Sequence, residues 1–213
     1  MLRQWREDDL APWAAMSADP RVMEFFPSVY TAAEAEAMAE RMRELLERDG
    51  FGWWVMEIKK GAAFAGVICL QIVPFEASFT PAMEVGWRLP YEHWGHGYAT
   101  DGAAAALRFA FNVLERREVV AMTAKTNLRS QRVMHRLGMT HDPADDFEHP
   151  RLAEEHPLRP HVLYRCTHFH EEAGLRALVS QRAHDAHLES GVFGRTAAIL
   201  DEAESEVRRD AVR

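Results

Sequence analysis

The sequence predicts an α+β domain built on a mixed sheet, and three observations predict it. Gly52 to Lys59, Ala63 to Val73 and Met83 to Leu89 are β-rich stretches in the middle of the chain, with the composition and alternation of half-buried strands. Apolar residues at three- and four-residue steps mark helices before and after them, most clearly from Thr31 to Arg48. The order of these segments, hairpin-linked strands followed by a strand–helix–strand crossover, requires antiparallel and parallel pairing in one sheet.

Leu2 to Arg6 reads as a short first strand. Asp8 or Asp9 then serves as N-cap for a helix carrying Leu10, Trp13, Ala14 and Met16, because a short acidic side chain accepts from the first unpaired amides. Asp19-Pro20 opens another short helical turn with Val22, Met23, Phe25 and Phe26 as its apolar side. Thr31 with Glu34 forms a capping box, and the helix it starts stops at Asp49-Gly50. Lys59-Lys60-Gly61-Ala62 is a hairpin turn between the first two central strands. Ala103 to Leu114 is a helix, Glu118 to Thr123 a strand, and Asn127 to Leu137 a helix closed by Gly138, the residue type that accepts a left-handed backbone at a helix end. Residues 141–160 are polar and rich in His, Pro and Asp, which predicts a long loop before a last strand from His161 to Thr167. Composition then shifts. Residues 1–168 form the core domain, and residues 169–213 an extension of two helices, Glu171 to Ser190 and Val192 to Arg209. The extension either packs on the core or joins two chains as a homodimer.

With 47% hydrophobic residues in 213, the chain buries one sizeable core. A net charge of −8 with no basic run argues against nucleic acid, whose binding rests on phosphate neutralisation. No apolar run approaches a membrane span, and Met1 to Arg6 lacks a leader core, so no membrane partner is expected. Cys69 and Cys166 lie in apolar strand contexts and read as buried free thiols, consistent with a cytoplasmic protein. His93-x-x-His96, His168-x-His170 and His184-x-x-His187 are the closest pairs among 11 histidines. None comes with the cysteines or carboxylates of a zinc pattern, so no metal is expected.

The chemistry concentrates between residues 82 and 102. A strand ends at Leu89-Pro90, an aromatic loop runs from Tyr91 to Trp94, and Gly95-His96-Gly97-Tyr98-Ala99 leads into a helix. Strand, glycine turn and helix together aim unpaired amides and a helix dipole at an anion. Glu84-Val-Gly-Trp87, Trp94-Gly-His-Gly-Tyr-Ala-Thr100, Thr126-Asn127-Leu-Arg-Ser130 and Leu137-Gly-Met139 follow one another in this sequence. In that order they resemble the GNAT acetyltransferases, and the branch called RimJ/RimL-like in particular. Leu2 to Leu10 and Asp19 to Met23 resemble the same branch.

The resemblance implies a mostly antiparallel central sheet flanked by helices. It also implies direct transfer of an acetyl group from acetyl-CoA, as co-substrate, to a primary amine. The acceptor is then a protein N-terminus or a small-molecule amine. Gly95, His96, Gly97, Tyr98, Ala99 and Thr100 take the place of the pyrophosphate-binding turn, with Trp94 where the family carries Gln or Arg. Glu84 takes the place of the carboxylate that accepts the amine's proton; an outward-facing strand glutamate is its alternative reading. Ser130 matches the residue that stabilises the departing thiolate, or is a helix-surface serine. A strand amide near Trp87 would stabilise the oxyanion. Asn127 bonds the pantetheine arm, caps its helix, or does both. Arg129 and Arg132 are in reach of the phosphates. Phe25-Phe26-Pro27 and the 141–160 loop are the candidates for the acceptor cleft. A competing reading is a binding module that senses acyl-CoA and signals through residues 169–213.

Overall fold

The computed structural model describes residues 1–167. Twelve elements follow in chain order: β1 Leu2–Arg3, α1 Leu10–Ser17, α2 Ala32–Asp49, β2 Trp53–Met56, β3 Val67–Ile72, β4 Met83–Arg88, α3 Tyr98–Asn112, β5 Glu118–Ala124, α4 Leu128–Arg136, β6 Thr140–His141, β7 Phe147–Glu148 and β8 Pro160–Thr167. They build one mixed sheet in the order β1-β2-β3-β4-β5-β8-β6, with β7 also paired to β8. Every pairing is antiparallel except β4 with β5. The α+β expectation holds, and the crossover through α3 supplies the parallel pair.

Alternation along the strands sends side chains to two helical layers. Ile68, Leu70, Met83, Val85 and Val119 meet Ala103, Ala106, Leu107 and Ala110 of α3 and Met134 of α4. Val55 and Val67 meet Trp13 and Met16 of α1 and Ala35, Ala39, Met42 and Leu46 of α2 on the opposite face. The α3 contact is close because its inner residues are small. A Cβ on Gly102 would stand 2.7 Å from Ile68 Cδ1, so any side chain there would force the helix off the sheet. Trp13 is fully buried, and its indole N–H donates to Ala35 O at 2.8 Å, which ties α1 to α2. Truncating such a side chain typically costs about 3–5 kcal/mol.

Local signals set most boundaries. Thr31 accepts from the Glu34 amide, and the Glu34 carboxylate accepts from the Thr31 amide at 2.8 Å. Gly50 closes α2 in the left-handed region, φ 72°, donating its N–H to Leu46 O. Other boundaries differ from expectation. Asp19 to Phe26 forms irregular turns with no helix. The strands expected over 52–59 and 63–73 shorten to β2 and β3, since Gly66 adopts φ 124° under the Arg88 carbonyl. α3 starts at Tyr98, five residues before the expected Ala103. The 141–160 loop contains β7, which pairs Phe147 with His161. The two helices expected in 169–213 lie outside the described residues. Among those described, no helix is long and apolar enough to cross a membrane.

Candidate active site

β4 and β5 are in register at one pair only, Glu84 with Val120. Beyond it the two parallel strands part. The backbone of β4 after Glu84 therefore faces a gap instead of a neighbouring strand. A cavity of about 640 Å³ opens there, walled by β4, β5, the start of α3, α4, the α1–α2 connection and the loop before β8.

At the α3 end of the cavity, Gly95 and Gly97 both have left-handed backbones, φ 80° and 81°. A Cβ on Gly95 would meet nothing within 4 Å, so its place in the turn is open space. Gly97 is the N-cap, and α3 begins at Tyr98. The amides of Tyr98, Ala99 and Thr100 thus have no carbonyl one turn earlier. Unpaired amides beside an empty groove are the form of an anion cradle, and the residues present fit a diphosphate. Gly95, Gly97, Tyr98, Ala99 and Thr100 all line the cavity. His96 does not: it is exposed and stacks beside Tyr98 at 5.6 Å. Trp94 lines the cavity as a wall, its indole N–H held by Leu89 O at 2.9 Å. Arg129, expected near phosphate, lies over the Trp94 ring at 4.7 Å and is ion-paired to Glu24. Arg132 lines the cavity.

Glu84 stands at the cavity floor on the face opposite α3. Its Oε2 accepts from Gln71 Nε2 at 3.2 Å, and Gln71 Oε1 accepts from the Trp53 indole N–H at 3.1 Å. Register explains the chain of bonds, because Gln71 lies directly across from Glu84 in the β3–β4 pairing. Burial raises the Glu84 carboxyl above its ordinary range, and the Gln71 hydrogen bond opposes that shift. A carboxylate made more basic by desolvation and kept within reach of a cavity is suited to taking a proton.

Ser130 is brought to the α4 wall by Asn127. Asn127 Oδ1 accepts the Ser130 amide at 3.2 Å as helix N-cap. Its Nδ2 donates to Ser130 Oγ at 3.1 Å and to Thr123 Oγ1 at 2.9 Å. Both amide hydrogens are therefore committed within the protein, and the capping role is the one the geometry displays. Ser130 Oγ, already an acceptor, keeps its own hydrogen to donate into the cavity. Trp87 also lines the cavity, while its ring packs toward α3.

Phe25, Phe26 and Pro27 close the cavity from the α1–α2 side, and His149, Arg151, Leu152 and Leu158 from the loop before β8. Several wall residues escaped the sequence reading. His149 and His161 lie 4.8 Å apart, with Phe75 4.8 Å from His149. Burial, then His161 and Arg151, lower the His149 pKa to about 4, and burial also lowers that of His161. Both rings are thus neutral at neutral pH. Gln71, Trp53, Thr123 and Arg88 were missed too; only strand register and packing bring them to the site. Cys69 and Cys166 are buried, and burial keeps the Cys69 thiol protonated. Among the described residues no group of His, Cys, Asp or Glu is placed to hold a metal ion.

Comparison with known proteins agrees with this geometry. Residues 1–140 match the family model described as Acetyltransferase (GNAT) domain. The chain is 35% identical over 133 residues to the FsC-acetyl coenzyme A-N(2)-transacetylase of Aspergillus fumigatus, covering 59% of this chain and 56% of that enzyme. It is 28% identical over 121 residues to the YkkB protein of Bacillus subtilis, covering 57% and 69% of the two chains. Among solved structures, RimJ of Mycobacterium smegmatis in complex with CoA-disulfide superposes with a TM-score of 0.66 at 18% identity, covering 85% of this chain and 88% of that one. A GNAT-family acetyltransferase from Bacillus anthracis gives 0.64 at 18% identity, covering 78% and 93%. At such identity the structural likeness speaks for the fold.

Proposed function

The chain belongs to the GNAT family of acetyltransferases, and from that premise we propose that it moves the acetyl group of acetyl-CoA directly to a primary amine within a ternary complex. The acceptor is a small-molecule amine or a protein N-terminus, as in the RimJ/RimL-like branch. One observation carries the reading: one cavity is lined at once by Glu84, by Ser130 and by Gly95, Gly97, Tyr98, Ala99 and Thr100 of the amide-rich turn.

The roles follow from the chemistry at each wall. The turn and the first amides of α3 hold the diphosphate, with the left-handed glycines letting backbone approach it closely. On the side of β4 that pairs with β5 only at Glu84, an amide near Trp87 stabilises the negative charge that develops on the thioester oxygen. An ammonium has no lone pair, so the acceptor first gives a proton to Glu84, directly or through water. The free amine then bonds to the thioester carbon, the carbon–sulfur bond breaks with its electron pair leaving on sulfur, and the second proton on the nitrogen passes to the departing thiolate or to solvent. Ser130, holding its hydrogen free, donates a hydrogen bond to the leaving sulfur. It acts as thiolate stabiliser, because a serine hydroxyl is far too weak an acid to give up its proton.

The test is thiol release from acetyl-CoA across a panel of primary amines and N-terminal peptides, with Glu84→Gln and Ser130→Ala measured alongside. Amine-dependent release that drops in both variants, while CoA affinity stays, supports the reading. Tight CoA binding with no acetylated product from any acceptor rejects it.

A further inference from the structure

The acceptor side of the cavity contains a positive charge that no carboxylate among the described residues neutralises. Arg88, the last residue of β4, is only 6% exposed yet lines the cavity. Its guanidinium lies over aromatic rings, 4.1 Å from the Phe26 centroid, 5.2 Å from Trp13 and 5.5 Å from Tyr30. Its Nε and Nη1 have no hydrogen-bond partner among the described residues. Burial lowers its pKa, and the influences that oppose this come from the Tyr30 hydroxyl and the Cys69 thiol, with no carboxylate among them. Aromatic faces attract a cation, and the Tyr30 hydroxyl serves one of its N–H groups, but Nε and Nη1 are left without an acceptor among the described residues. A buried guanidinium with two orphaned donors and no carboxylate beside it among the described residues is an expensive arrangement, and one that a bound anion relieves.

The surrounding strand positions give that anion a path. Glu84, Gly86 and Arg88 share one face of β4 by alternation, the face toward α1 and α2. Gly86, between the two charged residues, has no side chain. Across from it on β3 is the small Cys69, whose Cβ would lie 3.7 Å from a Cβ on Gly86. A shallow trough therefore runs from the Glu84 carboxylate to the Arg88 guanidinium. The cofactor's phosphates do not account for the charge. Their cradle opens at the α3 N-terminus, and α3 packs on the other face of the sheet.

We infer that the acceptor is an amine that also carries a carboxylate, the amine received at Glu84 and the carboxylate at Arg88. This rests on the acetyl-transfer reading above and names the substrate class of the same site. Four residues of strand separate the two backbone positions by about 13 Å, which the two side chains shorten. An α-amino acid, with both groups on one carbon, is too short. An ω-amino carboxylate with several bonds between its ends fits, as does a peptide N-terminus followed by an acidic side chain.

The experiment titrates ω-amino carboxylates of increasing chain length, and the matching carboxamides, into the CoA-saturated protein by calorimetry, and measures thiol release with acetyl-CoA in parallel. Wild type is expected to bind the best carboxylate about tenfold more tightly than its amide, since a charge-assisted pair replaces an unmet one. Arg88→Met removes the preference, Arg88→Lys keeps part of it, and CoA affinity is the same in all three. Arg88→Gln stands in if the methionine variant does not fold. Equal binding of acid and amide, no binding of any carboxylate, or a preference that survives Arg88→Met each overturns the inference. So does a loss of CoA affinity in Arg88→Met, which would assign the residue to the cofactor. Acetyl transfer with no carboxylate preference leaves the enzymatic reading standing, whereas carboxylate binding without acetyl transfer does the reverse.

Discussion

Asn127 and Ser130 are joined twice: the Asn127 carbonyl oxygen accepts the Ser130 amide at 3.2 Å, and the Asn127 amide nitrogen donates to the Ser130 hydroxyl at 3.1 Å. The first bond caps α4, and the second fixes which way the hydroxyl can donate. The two functions separate by substitution. Asn127→Asp keeps an acceptor for the helix, and a negative charge there suits the helix dipole, so stability should change by less than about 0.5 kcal/mol. The new carboxylate cannot donate, and Ser130 turns its hydrogen toward it and away from sulfur. The turnover number should fall about ten- to a hundredfold. Asn127→Ala loses the cap as well and costs about 1 kcal/mol. Thermal melts and steady-state thiol release on the two variants check both halves.

Gln71 controls the basicity of Glu84. Desolvation raises the Glu84 pKa above its ordinary 4.5, and the hydrogen bond from Gln71 acts in the opposite direction. The base works when ionised, so activity falls as pH drops through this raised value. Gln71→Leu removes the opposing bond and leaves burial unbalanced. The acid limb of the kcat/KM profile should then move to higher pH than in wild type. A limb that stays in place, or moves down, would show that Glu84 is not the group titrating.

Gly95 has φ 80° with open space where a Cβ would go. Gly95→Ala therefore fits sterically in the empty turn but must hold a strained left-handed backbone, at about 1–2 kcal/mol, and it puts a methyl into the phosphate cradle. The KM for acetyl-CoA should rise about tenfold with little change in turnover number, and calorimetric CoA titration should show the same loss. The change should leave the Glu84 limb where it was.

His149 links the cavity wall to acid stability. Its pKa is about 4 in the folded protein against an ordinary 6.5, through burial and then the neighbouring His161 and Arg151. The unfolded chain thus binds the proton more readily between those values. His149's contribution to stability is fully present above about 6.5 and is lost as pH falls toward 4 by linkage. His149→Phe, which keeps a ring against Phe75, should flatten the fall in stability across this window. Denaturant melts at several pH values on both proteins give the comparison.

Much of the architecture was legible because its signals are local. Thr31 with Glu34, Gly50, Gly138 and the Asn127 cap each act within a few residues, and the glycine turn that leads into α3 was legible from chain order alone. What was not legible depends on pairing across distance. Glu84 could be named only through the family resemblance, and its hydrogen-bond chain to Gln71 and Trp53 exists only because β2, β3 and β4 align in one register. Arg88 carries no local signal in the sequence; Trp13, Phe26 and Tyr30, which bury it, come from α1 and the connection after it. β7 was hidden because a two-residue strand has too little pattern to stand out from a polar loop. His96 matched by position within the turn yet points away from the cavity, since a turn sends successive side chains in different directions.

Whether Glu84 is the base for an acetyl-CoA-dependent transfer is read from amine-dependent thiol release by wild type and Glu84→Gln over a range of pH. The glutamine keeps the size of the side chain and its bond to Gln71 but cannot take a proton. The account predicts a hundredfold or larger loss, on the order of what general-base removal costs, with CoA affinity unchanged and partial recovery at alkaline pH, where the amine is already free. A Glu84→Gln protein that transfers acetyl groups at the wild-type rate near neutral pH would contradict it.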